Sequence, residues 1–168
     1  ALFSVVIRRK AGMLSVQGEK TAVRLMTTLN RAARDAAQGY RVHACTDVTG
    51  FSLMGHGLEM AQGSGVSLRL SVSAIDLLPE AAELADMGLL PEGMYRNREY
   101  AQPHVNLGDT PQNLADVLFD PQTSGGLLLA VHPDDADELF EALKSAVPSA
   151  QRIGVVTTKE EKAITLVA

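Results

Sequence analysis

Tryptophan is absent from these 168 residues, cysteine occurs once, and three Tyr and four Phe supply all the aromatic surface. A single cysteine, Cys45, excludes an internal disulfide framework and fits a reducing, cytoplasmic compartment. No apolar run approaches the ~18–20 residues a membrane-spanning helix needs, so no membrane partner is expected. No basic segment is interleaved with aromatic residues, which argues against nucleic acid as a partner. No secretory leader pattern is visible at Ala1-Leu2-Phe3, and without an initiating Met the chain reads as a piece of something longer.

What is present is globular in character. With 46% apolar and 21% charged residues the chain is unlike a disordered one. Its length buries roughly two-thirds of the extended surface, enough for one core, so residues 1–168 are expected to form a single domain. The net charge of −5 is unevenly spread: residues 1–41 hold eight bases and two acids, the remainder seven bases and 18 acids. That basic first third either attracts an anionic ligand or another domain, or is a solvated helix face.

Helices and strands alternate. Ala1 to Lys10 suits a short helix or a strand. Lys20 to Gln38 reads as one helix, with Ala22, Leu25, Met26, Leu29, Ala32 and Ala36 at helical spacing and Gly39 closing it. Arg41 to Thr46 reads as a strand, Phe51 to Gly63 and Gly65 as a helix, and Val66 to Val72 as a half-buried strand. Pro79 to Met87 predicts a short helix closed by Gly88, and residues 91 to 110 a long loop. Thr110 as cap and Pro111 at the first helical position open another helix, ended by Asp120-Pro121. Leu127 to Val131 is a continuous apolar run suited to a central strand. His132-Pro133 opens a helix whose early acids, Asp134 and Asp135 among them, serve as capping charges, with Lys144 at its far end. Ile153 to Thr157 and Ala163 to Val167 predict a closing hairpin. The expected class is α+β (mixed α/β), a mixed β-sheet covered by helices.

Two segments carry candidate chemistry. Asp47 lies between a strand and a helix in Thr46-Asp47-Val48-Thr49-Gly50. A carboxylate there either ligates a hard cation such as Mg²⁺, which uses one or two carboxylates plus substrate phosphates, or caps the helix. Gly50, Gly55 and Gly57 crowd the helix start, suggesting close approach of a backbone or ligand, and His56 between them either faces a cleft or packs. In Asp120-Pro121-Gln122-Thr123-Ser124-Gly125-Gly126, the hydroxyls and glycines before a strand make either an anion-binding nest or an ordinary turn. It is not a P-loop, since no Gly-Lys-Ser/Thr follows. Arg96 and Asn97 reach toward a phosphate or toward solvent only, and Cys45 is expected to be a buried small apolar residue.

The segment from Ala44 to His56, the segment from Asp120 to Leu128, and Glu92-Gly93-Met94-Tyr95-Arg96-Asn97 together resemble, in order, signatures of the selenide, water dikinase (selenophosphate synthetase) family. More distant relatives of that architecture include aminoimidazole ribonucleotide synthetase. The resemblance implies the C-terminal domain of a two-domain enzyme that converts ATP, selenide and water to selenophosphate, AMP and phosphate. It further implies that Asp47 helps hold Mg²⁺ at the nucleotide phosphates. Thr46, Thr49, Gly50, His56, Arg96, Asn97, Thr123, Ser124, Gly125 and Gly126 are candidate phosphate or cleft contacts. The family's reactive Cys or selenocysteine and its Lys belong to the N-terminal domain, so this piece is expected to be inactive alone, its partner being that domain within a homodimer. Ser52 and Met94 stand where the family usually has Gly and Thr.

Overall fold

The computed structural model describes residues 15–78 and 80–168. The expectations for Ala1 to Lys10, the charges of Arg8, Arg9 and Lys10, and Pro79 as a helix start lie outside them. In chain order the elements are α1 (Val16–Thr27), α2 (Arg31–Ala37), β1 (Val42–Asp47), α3 (Ser52–Ser64), β2 (Val66–Ser71), α4 (Ala81–Asp86), α5 (Glu92–Ala101), β3 (Val105–Asn106), α6 (Gln112–Leu118), β4 (Leu127–Val131), α7 (Ala136–Ala146), β5 (Gly154–Thr158) and β6 (Ile164–Val167). Mixed α/β architecture is what the sequence pattern predicts, although the strands form two sheets: β1 with β4 antiparallel, and a mixed sheet ordered β3-β6-β2-β5.

Helix α3 joins the two sheets. Met54, Leu58 and Ala61 are fully buried, and they share a core with Leu68, Leu70, Ile164 and Leu166 of the larger sheet. Gly57 lets the helix seat closely: a Cβ there would lie 3.4 Å from Ile164 Cδ1 and 3.6 Å from Leu68 Cδ1, and 4.0 Å from Leu128 Cδ2 of the smaller sheet. The helix ends as its sequence dictates, at Gly65 in the left-handed region.

Several expectations are corrected. The helix expected over Lys20 to Gln38 is broken at Thr28-Leu29-Asn30. Thr27 and Thr28 hydroxyls donate back to Arg24 O, and such β-branched, backbone-competing residues end a helix that alanine spacing alone would continue. The long loop expected over 91 to 110 contains α5, whose buried stripe is Met94, Asn97 and Ala101. A polar and a small residue at two of those three positions leave little apolar signal to read. Helix α6 begins one residue later than expected, with Pro111 at the cap position and no side-chain cap from Thr110.

Among the described residues the Leu127–Val131 strand is not central; all five of its residues are half-buried in a two-stranded ribbon. The closing hairpin does not form either, because β2 lies between β5 and β6. Buried Ser67 of β2 secures the connection that crosses it: its Oγ accepts from Glu160 N–H at 2.9 Å and donates to Lys162 O at 2.9 Å. Alternation in each strand is the same for a hairpin as for strands separated by a third, so the pattern could not decide.

The acids before α7 do more than cap. Asp135 accepts from the Arg41 backbone N–H at 2.7 Å and from its guanidinium at 2.6 and 3.0 Å, with Asp134 a further 3.3 Å partner. This clamps the entry of β1 to the entry of α7. The Arg41 hydrogen bonds hold the Asp135 carboxyl well below the usual carboxylate range. A depressed folded pKa contributes stability above the unfolded value near 4, and that contribution is lost as pH falls. Asp135→Asn is therefore expected to lower the thermal midpoint at pH 7, with the gap to the parent protein closing steadily below about pH 4. An undiminished gap at pH 3 in parallel melting curves counts against the clamp.

Candidate functional site

Two loops distant in sequence meet at one end of the β1–β4 ribbon. Val48 N–H donates to Gly126 O at 2.9 Å, and Gln122 N–H donates to Thr49 O at 3.0 Å. The ladder of the ribbon, in which Asp47 pairs with Leu127, thus continues into a main-chain clasp. Gly125 is required there: a Cβ would lie 1.8 Å from Val48 O, inside any tolerable contact.

Side chains lock the clasp from two sides. Buried Asn97 on α5 donates through Nδ2 to Gly50 O at 2.9 Å and to Phe119 O at 3.1 Å. Asn30 at the break between α1 and α2 donates to Gly125 O at 3.0 Å. Under the loop, Thr49 Oγ1 is 3.2 Å from His56 Nε2, and His56 Nδ1 is 3.2 Å from Glu59 Oε2. The structure so joins Thr49, Gly50, His56, Asn97, Gly125 and Gly126 into one hydrogen-bonded cluster.

Asp47 stands at the rim. Alternation along β1 leaves Val42, Ala44 and Thr46 half-buried and His43, Cys45 and Asp47 exposed. Among the described residues the Asp47 carboxylate enters no hydrogen bond or ion pair; the backbone O of Asp47 accepts from the Thr46 hydroxyl at 3.2 Å. The choice the sequence left at this position between cap and free carboxylate is thereby narrowed, since no helix N–H is bonded to it. Cys45 is exposed rather than buried, being on the same face of β1 as Asp47. Partial burial of its sulfur and the Asp47 charge both push its thiol pKa up, away from nucleophile behaviour.

Other candidates are placed differently. Asn97 has its amide donors committed to two carbonyls, so it is a staple and not a phosphate contact. Arg96 is 68% exposed and pairs with Glu92 one turn back at 2.5 Å. Thr123 and Ser124 lie exposed at the loop tip, Ser124 with φ +50°, and Gly50 and Gly126 are exposed beside them. Sequence reasoning missed Asn30, Glu59 and the Arg98–Asp116 pair at 2.7 Å, which Gln112 joins at 2.8 Å to tie α5 to α6. The Glu59 partnership had a local signal in its i, i+3 spacing from His56, as did Gln112–Asp116 at i, i+4.

Ser52 opens α3 with φ +68° while fully buried, a conformation glycine adopts without strain. Ser52→Gly is expected to stabilise the chain by about 1 kcal/mol, read as a higher denaturation midpoint. Asn97→Leu leaves two carbonyls without their donor and is expected to cost about 2 kcal/mol. An unchanged midpoint in chemical denaturation of that variant rules out the staple.

Residues 4–167 match the family model described as AIR synthase related protein, C-terminal domain. Selenide, water dikinase 2 of Peptoclostridium acidaminophilum is 43% identical over 159 residues, covering 94% of this chain and 46% of that protein. The chain spans about half the length of the curated relatives it matches. Among solved structures, thiamine-monophosphate kinase from Stenotrophomonas maltophilia superposes with TM-score 0.62 at 15% identity, over 98% of this chain and 46% of that one. The E. coli hydrogenase maturation protein HypE does so with TM-score 0.57 at 19% identity, over 81% and 34%, and a HypE in complex with ATP with TM-score 0.53 at 16%, over 83% and 36%. These three structures show a shared fold, while the resemblance carried by the three sequence segments is matched by relatives that carry the selenide, water dikinase name. The chain belongs to the C-terminal domain family of AIR synthase related proteins.

Proposed function

We propose that this chain is the C-terminal domain of a two-domain, ATP-dependent selenophosphate synthetase and that it supplies one carboxylate, Asp47, to an active site shared with the N-terminal domain. The reaction is ATP, selenide and water to selenophosphate, AMP and phosphate, in a cytoplasmic homodimer. The observation that carries the reading is the exposed Asp47 carboxylate, unengaged among the described residues, on a rim whose backbone is fixed by the clasp. A strand end held on both sides is a stiff mount for a ligand that must meet a charge contributed from elsewhere.

The donor set fits a shared Mg²⁺ and does not fit a self-contained metal centre. Among the described residues no group of three or more His, Cys, Asp or Glu converges. One carboxylate with substrate phosphates is an ordinary Mg²⁺ environment, and here that carboxylate is Asp47. When bound, the ion neutralises charge on the transferring phosphoryl groups. What the chain itself does is hold Asp47 in place, through Thr46, Val48 and the paired strand β4, and hold the Thr49-Gly50 backbone at the rim through Gln122 and Asn97. The fragment by itself is expected to be inactive, because the nucleophile and most phosphate-binding groups belong to the other domain.

The test is Asp47→Asn in the full-length protein, which keeps shape and removes charge. Selenide-dependent formation of AMP from ATP is expected to fall at least 100-fold with the thermal midpoint unchanged. Turnover at the parent rate in that variant removes the proposed role.

A further inference from the structure

We propose that His56 is a positioning residue that turns Thr49 into a hydrogen-bond acceptor for the hydration shell of a divalent cation held by Asp47. The inference rests on the reading of Asp47 given above and names a partner for it. His56 is 9% exposed, in the first turns of α3, and both ring nitrogens are engaged. Its Nδ1 faces Glu59 Oε2 at 3.2 Å, and an ionised carboxylate only accepts, so Nδ1 carries the proton. In the neutral ring Nε2 then bears the lone pair, and at 3.2 Å it accepts the Thr49 hydroxyl proton. Phe51 packs its ring 5.6 Å from the imidazole and limits its rotation.

The Thr49 main chain does not need this bond. Its carbonyl already accepts from Ser52 N–H at 2.9 Å and Gln122 N–H at 3.0 Å. What His56 adds is the direction of the hydroxyl. With the proton committed to Nε2, Thr49 Oγ1 offers only lone pairs. A phosphate oxygen cannot use such a group, since both are acceptors. Water bound to Mg²⁺ can, because it donates. Thr49, two residues beyond Asp47, is therefore assigned to the cation's water shell and not to the nucleotide phosphates.

Three substitutions in the full-length protein separate the contacts. His56→Gln carries an amide toward the Nε2 position and keeps Thr49; His56→Asn reaches only the Nδ1 side and keeps Glu59; Thr49→Val removes the hydroxyl at constant shape. The readouts are Mn²⁺ binding, followed by electron paramagnetic resonance with a non-hydrolysable ATP analogue, and the Mg²⁺ dependence of turnover. Expected is about a tenfold weaker Mn²⁺ affinity for His56→Asn and for Thr49→Val, the range for groups that orient metal ligands, with His56→Gln close to the parent. The double variant is expected to be no worse than either single one. Equal behaviour of His56→Gln and His56→Asn, additive losses, or unchanged Mn²⁺ affinity in Thr49→Val each overturn the proposal. Should His56→Asn fail to fold, Thr49→Val against Thr49→Ser carries the test, only the former being expected to weaken binding; equal affinity of those two overturns it. Asp47→Asn that leaves Mn²⁺ binding intact sinks the site reading itself, whereas weak binding there with a normal His56→Asn variant sinks the role of His56 alone.

Discussion

Main-chain hydrogen bonds between Val48 and Gly126 and between Thr49 and Gln122 hold together the two loops on which the candidate residues other than Arg96 sit or lean. Such bonds are insensitive to side-chain identity, so the sequence must enforce them by other means. It does so sterically at Gly125, where any side chain would strike the Val48 carbonyl, and laterally through Asn30 and Asn97. One asparagine comes from the break between α1 and α2 and the other from α5, whose Gly93 also packs against Pro121 of the second loop. Each donates from a neutral amide to a carbonyl, which fixes position without adding charge beside Asp47.

The rest of the fold explains why that clasp sits where it does. Helix α3 starts directly after the Asp47 loop and is pinned between the sheets by Met54, Gly57 and Leu58. Its first turn cannot drift, and neither can Thr49, whose carbonyl receives the Ser52 N–H. The cost is visible at Ser52, which takes a left-handed conformation inside the core. Gly is usual at that position in the resembled family, and the φ value supplies the physical reason: the chain must turn sharply from strand into helix with no room to spare. The Arg41–Asp135 clamp secures the other end of the same ribbon, so β1 is fixed at both termini.

Much of this was legible in the sequence, and what was not fails for identifiable reasons. Strand β1, helix α3 and strand β2 lie where apolar spacing and glycine punctuation put them, with Met54, Leu58 and Ala61 of α3 and Leu68 and Leu70 of β2 facing the core. Helix α5 escaped because its inward face is Met94, Asn97 and Ala101, a stripe whose middle member is polar for the sake of the staple. The break after Thr27 escaped because alanine spacing persists across it. Strand order is a long-range property: nothing local in Ile153 to Thr157 or Ala163 to Val167 says that β2 will lie between them. At the site, Asp47, Thr49 and His56 were named from their setting, whereas their roles depend on partners. The sequence suggests a ligand contact for Asn97 and burial for Cys45, because the two carbonyl acceptors of Asn97 and the outward facing of Cys45 on β1 depend on distant elements.

Exposed and buried polar groups divide the labour of a half-site in a consistent way. Groups with fixed internal partners, namely Asn97, His56 and the Thr49 carbonyl, are those that shape the rim. Asp47, by contrast, carries a charge and has no hydrogen bond or ion pair to its carboxylate among the described residues. An isolated exposed carboxylate binds a divalent cation weakly, because water competes and no second ligand shares the ion's charge. Stiffness changes that balance only when other ligands arrive already positioned, since preorganisation removes the ordering cost of the complex and adds no attraction of its own. A rigid mount bearing one carboxylate is therefore poorly suited to binding alone and well suited to completing a site assembled from two surfaces. That physical asymmetry, together with relatives about twice this chain's length, supports the proposed place of Asp47 in a site completed by a second surface.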